Sequence, residues 1–376
     1  LTLSSRNRLL RTFKGEETDR VPISLYEFDG FYDSWIHNHP EYVRILKYAE
    51  GKTDKMQFWA PIDNKPVLFY GQVDRETLTQ ATWEEKASTY TKTTIKTSKG
   101  TVHSISRQDP NVHTSWTVKH FCENEEDARK ILSLPFKPWQ PPIGSFYELE
   151  GKLGDAGIPM GDLADALCLT VDLFGLSRFL SLYMKRRRLI FELMDFFQER
   201  ICGYLNHLLR QGAVTLYRIC GPEYAVPPYL NPKEFDRLVT AYDIELVELL
   251  HRHRGLARLH SHGKVGKVLA SFKAMGVDAV DPLEPPPDGD IELDEARKLL
   301  GDETVLIGNI EERLLEIGSK QIIEKQVKKA ISQGASAGGF ILCPTAMPIT
   351  TPLAPKTQKN IIHYINCGLK HGKLNG

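Results

Sequence analysis

The sequence predicts an α/β protein, a (β/α)8 TIM barrel with an N-terminal elaboration containing a β-hairpin. Three observations carry that expectation. Beyond about residue 156, short apolar runs alternate with longer amphipathic stretches, the order that builds a parallel sheet with crossover helices. The amphipathic stretches end at a glycine, as left-handed C-terminal caps require. One earlier segment, KTTIKTSKGTVHSISR, reads as two strands turning at Ser98-Lys99-Gly100.

Taken in chain order, the first strand is VPISLY (21–26). Six further runs have the length of a buried strand: GIPMG (157–161), VTLYRI (214–219), LARLH (256–260), VDAVDP (277–282), TVLIGN (304–309) and GFILCP (339–344). Helical patterns lie between them, among them RRRLIFELMDFFQERICGYLNHLLRQG and KQIIEKQVKKAISQG. A closed eight-stranded barrel fits this count better than an open sheet. Region 27–155 is different, rich in aromatic residues and proline, and reads as an insertion between the first two strands. No linker separates it, so residues 1–376 form one domain with an insertion at about 27–155.

Composition narrows the function. With 41% hydrophobic and 26% charged residues the chain is globular and has ample core. Lys plus Arg and Asp plus Glu both number 48, so nothing points to nucleic acid, and Lys185–Arg188 reads as a solvated helix end. The absence of any apolar run of about 18 residues argues against a membrane span. The charged N-terminal stretch does not resemble a signal peptide. Six scattered cysteines without CxxC spacing suit a reducing cytoplasm.

In parallel barrels chemistry gathers at the C-terminal ends of the strands. Polar residues there include Glu27 and Asp29, Asp162, Glu223 with Tyr224, His260 with His262, Asp281 with Glu284, Asn309 and Cys343. Each could equally cap the following helix. His260 and His262 stand apart, because residues i and i+2 of an extended chain face the same side. Both imidazoles would then face one point at the barrel mouth, with Gly263 turning the chain away. Zinc needs three or four nitrogen, sulfur or oxygen donors, and later strands offer Glu284 and Cys343. Against this stands the ordinary fate of a free cysteine, a small buried apolar residue.

Several stretches resemble the uroporphyrinogen decarboxylase superfamily. They are RNRLLRTFKGEETDRVPI (6–23), GPEYAVPPYLNPKEFDRLV (221–239), LHSHGKV (259–265), GVDAVDPLEPPPDGDIELDEARKLLGDETVLIGNI (276–310) and GGFILCPTAMPITTPLAPKTQKNIIHYINCG (338–368). The resemblance implies a (β/α)8 barrel. True uroporphyrinogen decarboxylases carry an arginine-containing segment after strand one to grip substrate carboxylates. Here LYEFDGFYDSW is acidic and aromatic, with no arginine between Arg20 and Arg44. Such like-charge opposition disfavours a polycarboxylate substrate.

The chain looks closer to the corrinoid-dependent methyltransferase branch, whose zinc motif is His-x-Cys followed by a distant Cys, with a Glu between them in a related barrel. His260 matches the first position, His262 stands where that motif has Cys, and Glu284 and Cys343 follow at comparable positions. Replacing Cys by His keeps a valid donor set and makes a harder site. The resemblance therefore implies a zinc-dependent methyl transfer or demethylation, with metal ligands His260, His262, Glu284 and Cys343. The corrinoid would come on a separate protein, since no DxHxxG motif is present, and the other reactant is a small methyl donor or acceptor. Glu27 and Glu223 are the expected catalytic carboxylates; Asp29, Asp162, Tyr224 and Asn309 are expected to bind substrate. A homodimer is a family-level expectation. The alternatives are a metal-free decarboxylase or lyase acting on a small carboxylic acid, and a non-catalytic binding subunit.

Overall fold

The computed structural model describes residues 2–26, 28, 34–336 and 338–373. Seven strands form one parallel sheet in sequential order: β1 (Lys55–Trp59), β2 (Gly157–Ala164), β3 (Leu216–Cys220), β4 (Leu256–His260), β5 (Ala279–Asp281), β6 (Val305–Ile310) and β7 (Phe340–Pro344). The expected first strand, residues 21–26, is reduced to a short bridging segment. Ile23 pairs in parallel with Leu342 of β7, and Asp54, just before β1, donates its N–H to the Ile23 carbonyl at 2.7 Å. Both edges of the sheet therefore hydrogen-bond to this segment, which is consistent with a TIM barrel.

β1 lies inside the region expected to be an insertion. The elaboration proper therefore begins after Trp59, and the sequence boundary at residue 27 needs that correction. KMQFW escapes a search for apolar runs because Lys55 and Gln57 interrupt it, yet Gln57 is buried. The predicted hairpin is present: Ser88–Thr97 pairs antiparallel with Gly100–Gln108, inside a four-stranded sheet with Leu78–Glu85 and Trp116–Lys119. Among the described residues no single helix is long and apolar enough to cross a membrane.

The barrel helices form where the amphipathic stretches predict them. Arg187–Gln211 stops at Gly212 and Leu269–Met275 stops at Gly276, both glycines in the left-handed region. Two apolar layers result. The larger fills the space between sheet and helices. The smaller lies inside the sheet, where Met56, Ile158, Met160, Leu216, Ala279, Val305, Ile307 and Ile341 meet Leu9 and Phe13 of the N-terminal helix Ser5–Phe13. Strand period of two then places Phe58, Asp162, Arg218, Arg258, His260, Asp281, Asn309 and Cys343 on the same inward face, nearer the C-terminal ends. Apolar residues occupy one end of the interior and charges the other.

Candidate functional site at the C-terminal end of the sheet

The charged end is organised around Asp281, the last residue of β5, opposite His260 in the β4–β5 register. Its Oδ1 accepts from Arg258 Nε at 2.6 Å, and its Oδ2 accepts from Arg258 Nη2 at 2.6 Å. His260 Nδ1 lies 2.8 Å from the same Oδ2. All three side chains are buried, Asp281 at 1% and Arg258 at 3% exposure. Burial opposes ionisation of Asp281, but Arg258 and His260 outweigh it and hold the carboxyl far below the usual range. An ionised carboxylate only accepts, so His260 Nδ1 carries a proton and donates it. That fixes the tautomer of neutral His260 and leaves Nε2 as the atom facing Tyr26 Oη, 3.4 Å away.

His262 lies just past β4. Its ring centroid is 4.7 Å from that of His260, edge-on at 88°. His262 Nδ1 is 2.9 Å from Glu284 Oε1, and Glu284 Oε2 accepts the Gly263 N–H at 2.6 Å. Burial disfavours a charged His262, yet the hydrogen bond and charge of Glu284 prevail and raise its pKa. Glu284 is correspondingly lowered, its own burial outweighed by His262. Gly263 follows with φ +88°, the left-handed turn expected of it.

The other expected residues divide. Cys343 is inside the barrel and buried, and burial pushes its thiol up to about 12. His262 and Glu284 are hydrogen-bonded and the two histidine rings are adjacent, but among the described residues no three of His260, His262, Glu284 and Cys343 bring their donor atoms within 4.8 Å of one another. Asp162 on β2 holds Arg218 on β3, with Oδ1 accepting from Nε at 2.8 Å and Oδ2 from Nη2 at 3.2 Å. The Arg218 guanidinium also lies over the Phe58 ring at 4.4 Å and donates to Tyr26 Oη at 3.3 Å. Glu223 accepts the Gly221 N–H at 3.2 Å. Tyr224 is half-buried beside it, and burial raises its phenol pKa. Asn309 donates to the Leu283 carbonyl at 3.2 Å, fastening β6 to the loop after β5. Glu27 and Asp29 lie outside the described residues.

Sequence reasoning passed over several groups. Arg218 and Arg258 are charges in the middle of apolar strand runs, which is itself a signal, since an interior charge needs a partner. Glu311, directly after β6, is a carboxyl that burial and the nearby charges of Glu284 and Asp288 push up to about 7. Asp165 and Asp243 form a fully buried acidic pair, both held well above the ordinary carboxylate range by burial, and Asp165 further by the charge of Asp243. Asp165 caps the helix Ala166–Phe174, accepting the Cys168 N–H at 2.5 Å. Asp243 comes from the helix Ala241–Arg252.

The uroporphyrinogen decarboxylase (URO-D) profile matches residues 167–357, half of the chain. The chain belongs to the uroporphyrinogen decarboxylase family. The matched segment runs from the helix after β2 past β7, so it contains the histidine pair and Asp281. In solved structures, this URO-D family member shares the fold of a methyltransferase from Methanosarcina mazei, with TM-score 0.60 and 15% identity over 98% of this chain and 99% of that one. A D-psicose 3-epimerase from Clostridium cellulolyticum H10 aligns with TM-score 0.35 and 10% identity, over 61% of this chain and 92% of that one, too little to carry an argument. No curated protein matches the sequence.

Proposed function

We propose that this URO-D family member is a zinc-dependent methyltransferase, a (β/α)8 barrel that moves a methyl group between a small molecule and a corrinoid held by a separate protein. The observation that carries the reading is the histidine pair: two imidazoles 4.7 Å apart at the C-terminal end of β4, each with Nδ1 engaged by a carboxylate. Metal-ligating histidines are oriented in this way, one ring nitrogen tied to a carboxylate and the other presented to the ion. The M. mazei protein of like fold is named a methyltransferase, which supports the same direction.

The donor chemistry fits zinc. His260, His262, Glu284 and Cys343 would hold it, a nitrogen, oxygen and sulfur set that must close in from its present spacing, with Glu284 giving up one of its two hydrogen bonds to do so. When bound, zinc lowers the pKa of a coordinated thiol or hydroxyl, making a nucleophile at neutral pH. The protein's own residues do the rest. Arg258 keeps Asp281 ionised, and Asp281 keeps the His260 ring in one orientation. Glu284 orients His262 and is itself fixed by the Gly263 N–H. Glu311, with a pKa near neutrality, can give or take a proton beside the pair. The Asp162–Arg218 pair, with Tyr224 and Asn309, supplies polar contacts for the small substrate, and Glu223 a catalytic carboxylate; Glu27 as a second catalytic carboxylate and Asp29 as a substrate contact are proposed from the sequence alone.

The test is zinc per chain in purified protein and in His260→Ala, His262→Ala and Cys343→Ala. Stoichiometric zinc lost in both histidine variants supports the proposal; retention in Cys343→Ala removes sulfur from the ligand set. A folded, metal-free wild type that transfers methyl groups from methylcobalamin refutes the zinc requirement. The Asp281–His260 dyad favours one second reading, acid–base decarboxylation or lyase chemistry on a small acid without metal. A bell-shaped pH profile unmoved by chelators would select it.

A further inference from the structure

On the outer face of the sheet, far along the chain from the histidine pair, the helices Lys320–Gly334 and Pro355–His371 pack side by side. His363, Cys367 and His371 fall at every fourth position of the second helix, so all three lie on one face. Glu324 reaches them from the first helix. Donor atoms of Glu324, His363 and Cys367 lie within 4.8 Å of one another, the one such cluster of three among the described residues. Cys367 Sγ is 3.4 Å from His363 Nε2, and His371 Nε2 is 2.8 Å from Glu324 Oε1.

We propose that Glu324, His363, Cys367 and His371 form a structural site for zinc or a similar borderline-soft divalent cation. One thiolate, two imidazoles and one carboxylate make a full tetrahedral donor set. Zinc bonds of about 2.0–2.3 Å put tetrahedral donors roughly 3.3–3.8 Å apart. Glu324, His363 and Cys367 therefore need to contract by about 1 Å, and His371, which lies outside that spacing, by more; rotation of the partly exposed Glu324, His363 and His371 side chains supplies this around the buried Cys367.

Binding has competitors. The Lys370 ammonium is 3.1 Å and the Lys328 ammonium 3.6 Å from Glu324 Oε1, while His363 Nε2 is 3.1 Å from the Lys320 carbonyl. The ion would take the place of these partners. Burial raises the Cys367 thiol to about 11, so binding releases one proton from sulfur and tightens as pH rises.

The position gives the site a purpose. Tyr364, one residue from His363, donates to the carbonyls of Ser24 and Leu342 at 2.9 and 3.0 Å. Those are the residues of the short segment and of β7 that meet at the seam. A clip between the last two long helices would hold the helix that covers this seam.

The test uses cobalt(II) as the probe, added to metal-stripped full-length protein in a His262→Ala/Cys343→Ser background, so that the mouth cannot supply a thiolate. One equivalent producing thiolate-to-cobalt charge-transfer absorption, lost in Cys367→Ser, supports the site. His363→Gln and His371→Gln should each weaken cobalt by more than the roughly 100-fold that an outer-shell partner costs. Zinc should raise Tm in the same background and not in Cys367→Ser. Absence of the thiolate absorption in the background protein, or its survival in Cys367→Ser, overturns the proposal and leaves the mouth untouched.

Discussion

Asp281→Asn is the most informative perturbation of the charged interior. The substitution keeps size and one carbonyl oxygen but removes the charge that Arg258 and His260 share. Arg258, 3% exposed, then has no anion at the 2.6 Å contacts it makes now. Breaking a buried pair by removing one partner costs about 3–5 kcal/mol. Unfolding entropy of about 2.1 cal/mol/K per residue over 376 residues converts that into a Tm lower by about 4–6 °C. The assay is calorimetry at neutral pH on wild type, Asp281→Asn, Arg258→Met and the double variant. In the Arg258→Met background the same change should cost far less, a coupling of about 2–3 kcal/mol.

A pH arm checks the same reasoning. The folded carboxyl lies below its unfolded value, so its stabilisation is complete above the ordinary carboxylate range and is lost as pH falls below about 4. Asp281→Asn should flatten the acid limb of the Tm curve. A Tm within about 1 °C of wild type, or an equal drop in both backgrounds, would mean that the Arg258–Asp281–His260 contacts do not hold the mouth together.

Three further expectations follow from neighbouring contacts. Glu284→Gln removes the charge that overcomes burial at His262, so the His262 pKa should drop below its ordinary value; a histidine NMR titration that stays raised would contradict this. Asp165 and Asp243 hold protons that the unfolded chain releases, so they cost stability as pH rises above about 4 toward their raised folded values. Asp243→Asn should therefore gain Tm relative to wild type at pH 8 more than at pH 4, and an equal difference at both would count against the pair. Gly221 has φ +139°, and a Cβ there would overlap the Asp165 carboxylate, so Gly221→Ala should cost at least about 1–3 kcal/mol. An unchanged Tm would show that the loop relaxes around it.

Much of the fold was legible because six of the seven sheet strands are predominantly apolar runs, the mark of strands covered on both faces. The exception, β1, is polar at Lys55 and Gln57 and was absorbed into the insertion, while the weaker segment at Ile23 took its place. The histidine pair was legible for a local reason, the two-residue period of extended chain. Its supporting residues were not. Asp281 stood out only as polar at a strand end, because its role depends on lying opposite His260 across the β4–β5 register. Asp165 and Asp243 sit on separate helices, and nothing local to either announces the other.

The register also explains why His260 is the residue to watch. Asp162 stands opposite Arg218 on the neighbouring strand, and Arg218 stands opposite Arg258, so two like charges would face each other along the inner wall. Each arginine is instead turned to an aspartate on its far side, Arg218 toward Asp162 and Arg258 toward Asp281. Unpaired interior charges cost several kcal/mol, so this division is the arrangement that lets two arginines occupy one barrel. Asp281 has an oxygen close enough to serve Arg258 and His260 together, and that sharing decides which imidazole nitrogen is protonated. Arg258 thus acts on the mouth at one remove: it keeps the carboxylate ionised, and the carboxylate holds the Nδ1 side of the His260 ring and turns Nε2 toward the mouth. A positive charge placed mid-strand, where an apolar residue would pack more simply, is what orients that imidazole.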